Sequence, residues 1–227
     1  MTELPQWEDD EDWFLFHDED LWFYDKLILS RRLGYTCGPV GEPVPNPGYY
    51  VVRPITNLLG MGRNTEITWI TDSTDNFPPG HFWCEVFEGD HLSIDYHFGK
   101  QFICVKGTKN NSTLYKWDKW EKIDQIIPFP EILKTLKGNY EWINIEMIGG
   151  NLIEVHFRRN PNFFWGNTYA IPVWDNNIKL KDNEIFIECP SFHRKGFVID
   201  KINKNRDSNP SKSSDFTNQE QNGQFTS

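Results

Sequence analysis

Four cysteines in 227 residues, Cys37, Cys84, Cys104 and Cys189, are too few and too far apart for a disulfide framework. No CxxC pair marks a zinc site, and Cys84 and Cys104 lie in apolar runs where buried free thiols are expected. No stretch approaches the roughly 18–20 apolar residues of a membrane-spanning helix. Residues 1–25 hold no Lys or Arg and ten acids, so they lack the basic start and apolar run of a secretory or transit peptide. A cytoplasmic location is expected. Positive charge is not in excess: 23 Lys plus Arg stand against 33 Asp plus Glu, a net charge of −10. That balance excludes a general nucleic-acid binder, which needs clustered cations to displace counterions. No nucleophile–His–acid triad is evident either.

What is present is unevenly spread. The ten early acids account for the whole net charge, leaving residues 26–227 neutral. Trp7, Trp13, Phe14, Leu15 and Phe16 interrupt them, so residues 1–20 read as an acidic aromatic arm, either solvated or docked on the body or on a protein partner. From Lys201 to Ser227, 13 of 27 residues are Asn, Gln or Ser, a composition expected to stay disordered. Residues 21–200 then form the folded body, with ten Trp and 17 Phe in the chain to supply its core. The pattern predicts one helix over 21–33 ending at Gly34, a Pro/Gly loop over 39–48, and a short helix over 131–136. Strands are predicted over 49–55, 65–70, 81–87, 91–98, 101–106, 142–148 and 152–158, with turn chemistry at Gly60 and Gly62. Strands outnumber helices and cluster as antiparallel hairpins, so the class is α+β.

Residues 142–158 carry the most information. Two alternating runs flank Gly149-Gly150-Asn151, a hairpin signal. A two-residue turn would pair Glu146 with Ile153 and Ile145 with Glu154, putting a carboxylate on each face. A three-residue loop pairs Ile148 with Leu152, Glu146 with Glu154 and Asn144 with His156. The second register places Ile143, Ile145, Met147, Ile153, Val155 and Phe157 on one face and Asn144, Glu146, Glu154, His156 and Arg158 on the other. A one-residue slip buries charge, so the segregating register is expected. Carboxylates directly across an antiparallel pair sit about 5 Å apart at Cβ and repel. Either a divalent cation such as Mg²⁺ relieves them, or the face is solvated and Arg158 with nearby Lys supplies the countercharge.

In motif order these residues resemble the ATP-grasp fold of carboxylate–amine ligases, over about residues 25–160. The body is also similar to a group of phage-encoded proteins, for which the location would be the host cytoplasm. Asp25-Lys26 resembles the family's phosphate-approaching lysine at a helix start. Val51-Val52-Arg53-Pro54 resembles its Val-Val-Lys-Pro strand, with a guanidinium in place of the ammonium. The loop 57–63, with Gly60 and Gly62, resembles the flap over the triphosphate. The run from Glu85 through Phe87, Glu88 and His91 to Asp95 resembles the inter-lobe hinge. There the backbone would bracket adenine and Glu88 would accept from ribose hydroxyls.

The family's metal trio, Asp, Glu and Asn, corresponds to Glu146, Glu154 and His156, with His156 in place of Asn. The resemblance implies a two-lobed body using ATP and Mg²⁺, with Arg53 and Arg158 as candidate catalytic cations. In one respect the expected body departs from the family: it is without the usual N-terminal α/β domain, which residues 1–25, ten of them acids, cannot supply.

Two readings of function follow. In the first, the chain is an ATP-dependent ligase that activates a carboxylate as an acyl phosphate for attack by an amine or similar nucleophile. In the second, it is a non-catalytic nucleotide-binding or interaction protein on a degenerate ATP-grasp body, as Arg53 and His156 suggest. An aromatic-rich carbohydrate or nucleic-acid binder explains the Trp count but not the paired carboxylates. Trp117 and Trp120 are stacking candidates that equally well cover a sheet face. Asn160 is a candidate phosphate or substrate contact. His91, Ser93, Asp95 and His97 form one polar strand face, and His193 and Arg194 read as surface.

Overall fold

Ala170 is the sole alanine of the chain, and β-branched and aromatic residues fill the apolar positions, so intrinsic preference favours strands over helices. The computed structural model describes residues 17–56, 62, 64–110, 114–191 and 193–201. The arm over 1–16, the tail from 202 onward and Gly60 lie outside the described residues.

Twelve strands form two antiparallel sheets among the described residues. The smaller holds β1 (Cys37–Pro39), β2 (Gly48–Pro54), β3 (Glu66–Ile70) and β4 (His81–Glu85), in the order β1-β4-β2-β3. The larger holds β5 (His91–His97), β6 (Lys100–Thr108), β7 (Lys119–Lys122), β8 (Trp142–Ile148), β9 (Asn151–His156), β10 (Tyr169–Val173), β11 (Glu184–Ser191) and β12 (Arg194–Asp200). Its order is β11-β12-β10-β7-β6-β5-β8-β9. The class is α+β.

The single helix expected over 21–33 is broken. A 3-10 helix spans Asp18–Tyr24, and α1 spans Lys26–Arg32. Asp25 divides them because its carboxylate accepts from the Ile28 backbone N–H at 2.7 Å, an N-cap that restarts the helix. Asp20, the last residue of the expected arm, is buried and accepts a 2.6 Å hydrogen bond from the Tyr140 hydroxyl. Leu27 packs with Phe82 and Cys84 of the small sheet, while Leu29 packs with the main core of the large one. That wedged position puts Lys26, at the start of α1, between the sheets.

The 142–158 hairpin combines both registers considered from sequence. Gly149 and Gly150 form a two-residue turn with φ of 56° and 88°, and Ile148 pairs with Asn151 and Met147 with Leu152. A bulge at Ile153 then inserts one residue, so that Glu146 faces Glu154 and Asn144 faces His156. Leu152, rather than Ile153, joins Ile143, Ile145, Met147, Val155 and Phe157 in the core, and Ile153 turns to the cleft. Adjacent apolar residues make that exchange invisible to alternation. Gly149 also lies against the link from β4 to β5: a Cβ there would meet the Glu88 carbonyl oxygen at 1.9 Å.

Five strands were not anticipated: β1, β7, β10, β11 and β12. β10 contains Pro172 and β11 contains Pro190, residues that argue against a strand in a sequence pattern. β11 is an edge, where Pro is tolerated. All four cysteines are free thiols, and Cys37 faces Cys84 across β1 and β4. No described helix is long and apolar enough to cross a membrane.

Candidate active site

Antiparallel pairing lines the polar face of β5, β8 and β9 into rows. Ser93, Glu146 and Glu154 form one row, and Asp95, Asn144 and His156 the next. The intervening residues Ile94, Ile145 and Val155 point to the core on the opposite face. The polar rows open into a cleft between the sheets with a volume of about 240 Å³.

Glu154 is the electrostatic centre. Its Oε1 lies 2.9 Å from the Lys26 ammonium and 3.4 Å from Arg53 Nη1, and its Oε2 lies 3.3 Å from His156 Nε2. Burial alone would raise its pKa, but Lys26, His156 and Arg53 outweigh burial and hold the carboxyl well below the usual carboxylate range. Arg53 is itself buried, packs over the Phe82 ring at 5.2 Å, and donates from Nη2 to the Ile153 carbonyl at 3.2 Å. The bulge leaves that carbonyl out of the regular ladder, so the irregularity seats the arginine. Glu146 is met by His91, with Nε2 to Oε2 at 3.0 Å. Lys26 and Arg53 at Glu154, and His91 at Glu146, supply partners for the two facing carboxylates.

Glu146, Glu154 and His156 offer ligand atoms that all lie within 4.8 Å of one another. Two carboxylate oxygens and one imidazole nitrogen fit a divalent cation, with the nitrogen donor shifting preference from Mg²⁺ toward Mn²⁺ or Zn²⁺. Arg158 lines the same cleft and donates to the Arg159 carbonyl at 3.1 Å.

The remaining expected binding residues divide. Gly62, Glu85, Phe87 and His91 line the cleft. The Glu85 carboxylate accepts from the Thr36 N–H at 2.8 Å, which anchors the β4 end, and Phe87 packs edge-on to Tyr35. Glu88 does not line the cleft; it is exposed, with its carbonyl against Gly149.

Three expectations are corrected. Asn160 is buried, not available to phosphate: its backbone N–H and side-chain amide donate to Asp95 and Ser93, and its oxygen accepts from Asn162. Arg194 is buried in the cleft wall rather than on the surface, and donates to Asn162 at 2.6 Å. Ser93 and Asp95 are buried under the site, while His91 reaches the cleft and His97 stacks on Trp142.

Asp95 forms a buried network that no motif announced. It accepts from the Asn144 amide and the Asn160 N–H, each at 2.8 Å. Burial dominates and pushes its pKa up to about 6, against the lowering from Asn160, Asn144, Arg158 and Arg159. The signal available in sequence was Ser93-Ile94-Asp95 alternating opposite Asn144. Lys109, Trp174 and Arg194 complete the cleft from segments that carry no recognisable pattern.

No family model matches the chain, and no curated protein matches it. Among solved structures it is similar to ATP-grasp superfamily members. One is an ATP-grasp superfamily protein from Archaeoglobus fulgidus, at 15% identity and a TM-score of 0.43, covering 78% of this chain and 64% of that one. Another is the ATP-grasp ligase PsnB complexed with minimal precursor, at 12% identity and 0.39, covering 60% and 51%. A third is the D-alanine–D-alanine ligase of Bacillus anthracis complexed with ATP, at 14% identity and 0.31, covering 59% and 54%. The chain spans between half and two thirds of the length of these structures. At such scores the likeness carries no weight for the chemistry, which stands on the geometry of the cleft.

Proposed function

We propose that this chain is an ATP-dependent ligase of the ATP-grasp kind, joining a carboxylic acid to an amine or similar nucleophile. A carboxylate oxygen of the acid would attack the γ-phosphorus, releasing ADP and leaving an acyl phosphate. The nucleophile would then attack the acyl carbon, expel inorganic phosphate and lose its proton. No protein nucleophile is required, so catalysis is positioning plus charge stabilisation.

The observation that carries this reading is the meeting of Lys26, Arg53 and Glu154 within 2.9–3.4 Å: Arg53 and Glu154 line the cleft, and Lys26 is buried against Glu154 in its wall. Lys26 and Arg53 are suited to neutralise phosphate oxygens, and both stand beside the proposed cation ligands Glu146, Glu154 and His156. Glu146, Glu154 and His156 would hold a divalent cation such as Mg²⁺, which would supply charge neutralisation to the triphosphate. Arg158 would orient the acid. Phe87, Glu85 and His91 line the side of the cleft where the base and sugar would lie, Gly62 belongs to the proposed flap with Gly60, and Glu88 would need to turn inward to reach a ribose.

Calorimetric titration of the full chain with Mg-ATP tests the reading. Saturable binding is expected, weakened about 10–100-fold in Glu154→Gln, as for loss of a metal-shell group. No binding by the wild-type chain would discard it. The second reading, a nucleotide binder without turnover, is favoured by the replacement of Lys by Arg53 and of Asn by His156. It predicts ATP binding with no ADP release across a panel of acids and amines.

A further inference from the structure

We propose that the half of the cleft beyond Glu146 seats the acid to be activated, and selects a carboxylate that carries a flat or bulky apolar group. The inference rests on the ligase reading and names its substrate class. Trp117 and Trp120 lie 4.6 Å apart at 44°, and Trp117 stands 4.5 Å from the His91 ring that contacts Glu146. The aromatic wall therefore begins directly beside the cation-ligand cluster. It continues through Trp174, whose indole N–H donates to the Trp117 carbonyl at 3.0 Å, to Tyr115.

The wall is built into the sheet. Gly107 of β6 lies beneath both indoles, and a Cβ there would sit 2.7 Å from Trp117 and 2.9 Å from Trp120. Its φ is not in the left-handed region. The requirement is for space: a side chain at this position would displace both rings, so the glycine fixes where Trp117 stands.

Charge gives the polarity of the ligand. Lys109, Arg158 and Arg194 line this half, and beyond Glu146 no described carboxylate does. Lys109 Nζ lies 5.0 Å from the Trp117 ring centroid. Arg158 follows His156 by two residues, so the cationic end adjoins the cluster while Trp174 and Tyr115 stand farther out. A carboxylate held at Arg158 would present its oxygen toward the phosphate site, and its apolar group would lie on Trp117 and Trp174, with Trp120 buried behind them as core.

Ligand-detected NMR titration of the full chain, with Mg²⁺ and a non-hydrolysable ATP analogue, tests this with 3-phenylpropionate, acetate and 3-phenylpropanol. Phenylpropionate should bind, and acetate and the alcohol at least tenfold more weakly. Trp174→Ala and Arg158→Gln should each weaken phenylpropionate about tenfold, and Trp174→Ala should leave the analogue's affinity within twofold. Both side chains are partly exposed, so the two variants guard each other against misfolding.

Equal binding of acetate and phenylpropionate overturns the proposal, as does phenylpropionate binding that neither variant changes. If the analogue fails to bind the wild-type chain, the ligase reading falls. Phenylpropionate binding that is still lost in Trp174→Ala then supports the aromatic acid seat by itself, and absence of such binding overturns it too.

Discussion

Glu154, part-buried at the cleft, and Asp95, fully buried, are carboxylates on the same face of one sheet, two strands apart, and the fold holds them in opposite ways. Glu154 is surrounded by ionic partners from distant segments, Lys26 and Arg53, with His156 beside it. Asp95 is surrounded by dipoles, the Asn144 amide and the Asn160 N–H, with Arg158 and Arg159 acting only at a distance. Full cations lower the first pKa despite burial, while amides fail to offset burial for the second. A carboxylate fit to bind a cation and one fit to hold a proton thus arise two strands apart from the same residue chemistry.

The pH dependence follows in opposite senses. The folded pKa of Glu154 is depressed, so its contribution is present above its ordinary value near 4.5 and is lost as pH falls. The folded pKa of Asp95 is raised to about 6 from 3.8, so the folded state binds the extra proton between those values. Stability from that group is highest at low pH and is lost as pH rises through 6.

The comparison can be broken most severely at Lys26. Lys26→Met should cost about 3 kcal/mol in urea unfolding at pH 7, because a buried charge loses its nearest partner. The cost should shrink at pH 4, where Glu154 can take up a proton. A loss below about 1 kcal/mol at pH 7 would mean that the cations do not hold the carboxylate. Asp95→Asn should instead raise stability, by about 2 kcal/mol at pH 7.5 and not at all at pH 4, since the neutral amide removes the ionisation penalty. A uniform loss across that range would sink the assignment of a raised pKa. The smallest effect is expected for Ser93→Ala, about 1 kcal/mol, because Asn144 and Asn160 both donate to that hydroxyl. The Asp95 titration, followed by carboxyl NMR, should then move upward as the amides lose their orientation.

Much of the ligand-bearing ribbon was legible because alternation and a Gly-Gly turn are local signals. The row of Glu146 with Glu154 and of Asn144 with His156 could be read from residues 142–158 alone. The bulge could not, since Leu152 and Ile153 are interchangeable in any apolar pattern. The partners of Glu154 were also beyond local reading. Arg53 meets it across 101 residues, and a pairing of that separation has no periodicity to betray it. Resemblance supplied Lys26 and Arg53 as phosphate contacts, but not their attachment to Glu154. The apolar pattern ran one helix through Asp25, whereas the resemblance put a helix start at Asp25-Lys26, which is where the N-cap lies. Pro172 and Pro190 hid β10 and β11; β11 is an edge strand, where Pro is tolerated, while β10 is paired on both sides.

The contact of Gly149 with the Glu88 carbonyl has a mechanical consequence. The chain leaves the small sheet at Glu85 and enters the large one at His91, and the tip of the ribbon bearing Glu146 and Glu154 abuts that passage. That abutment ties the tip of the ribbon to the connection between the sheets, so a shift of one sheet against the other would have to move the acids with it.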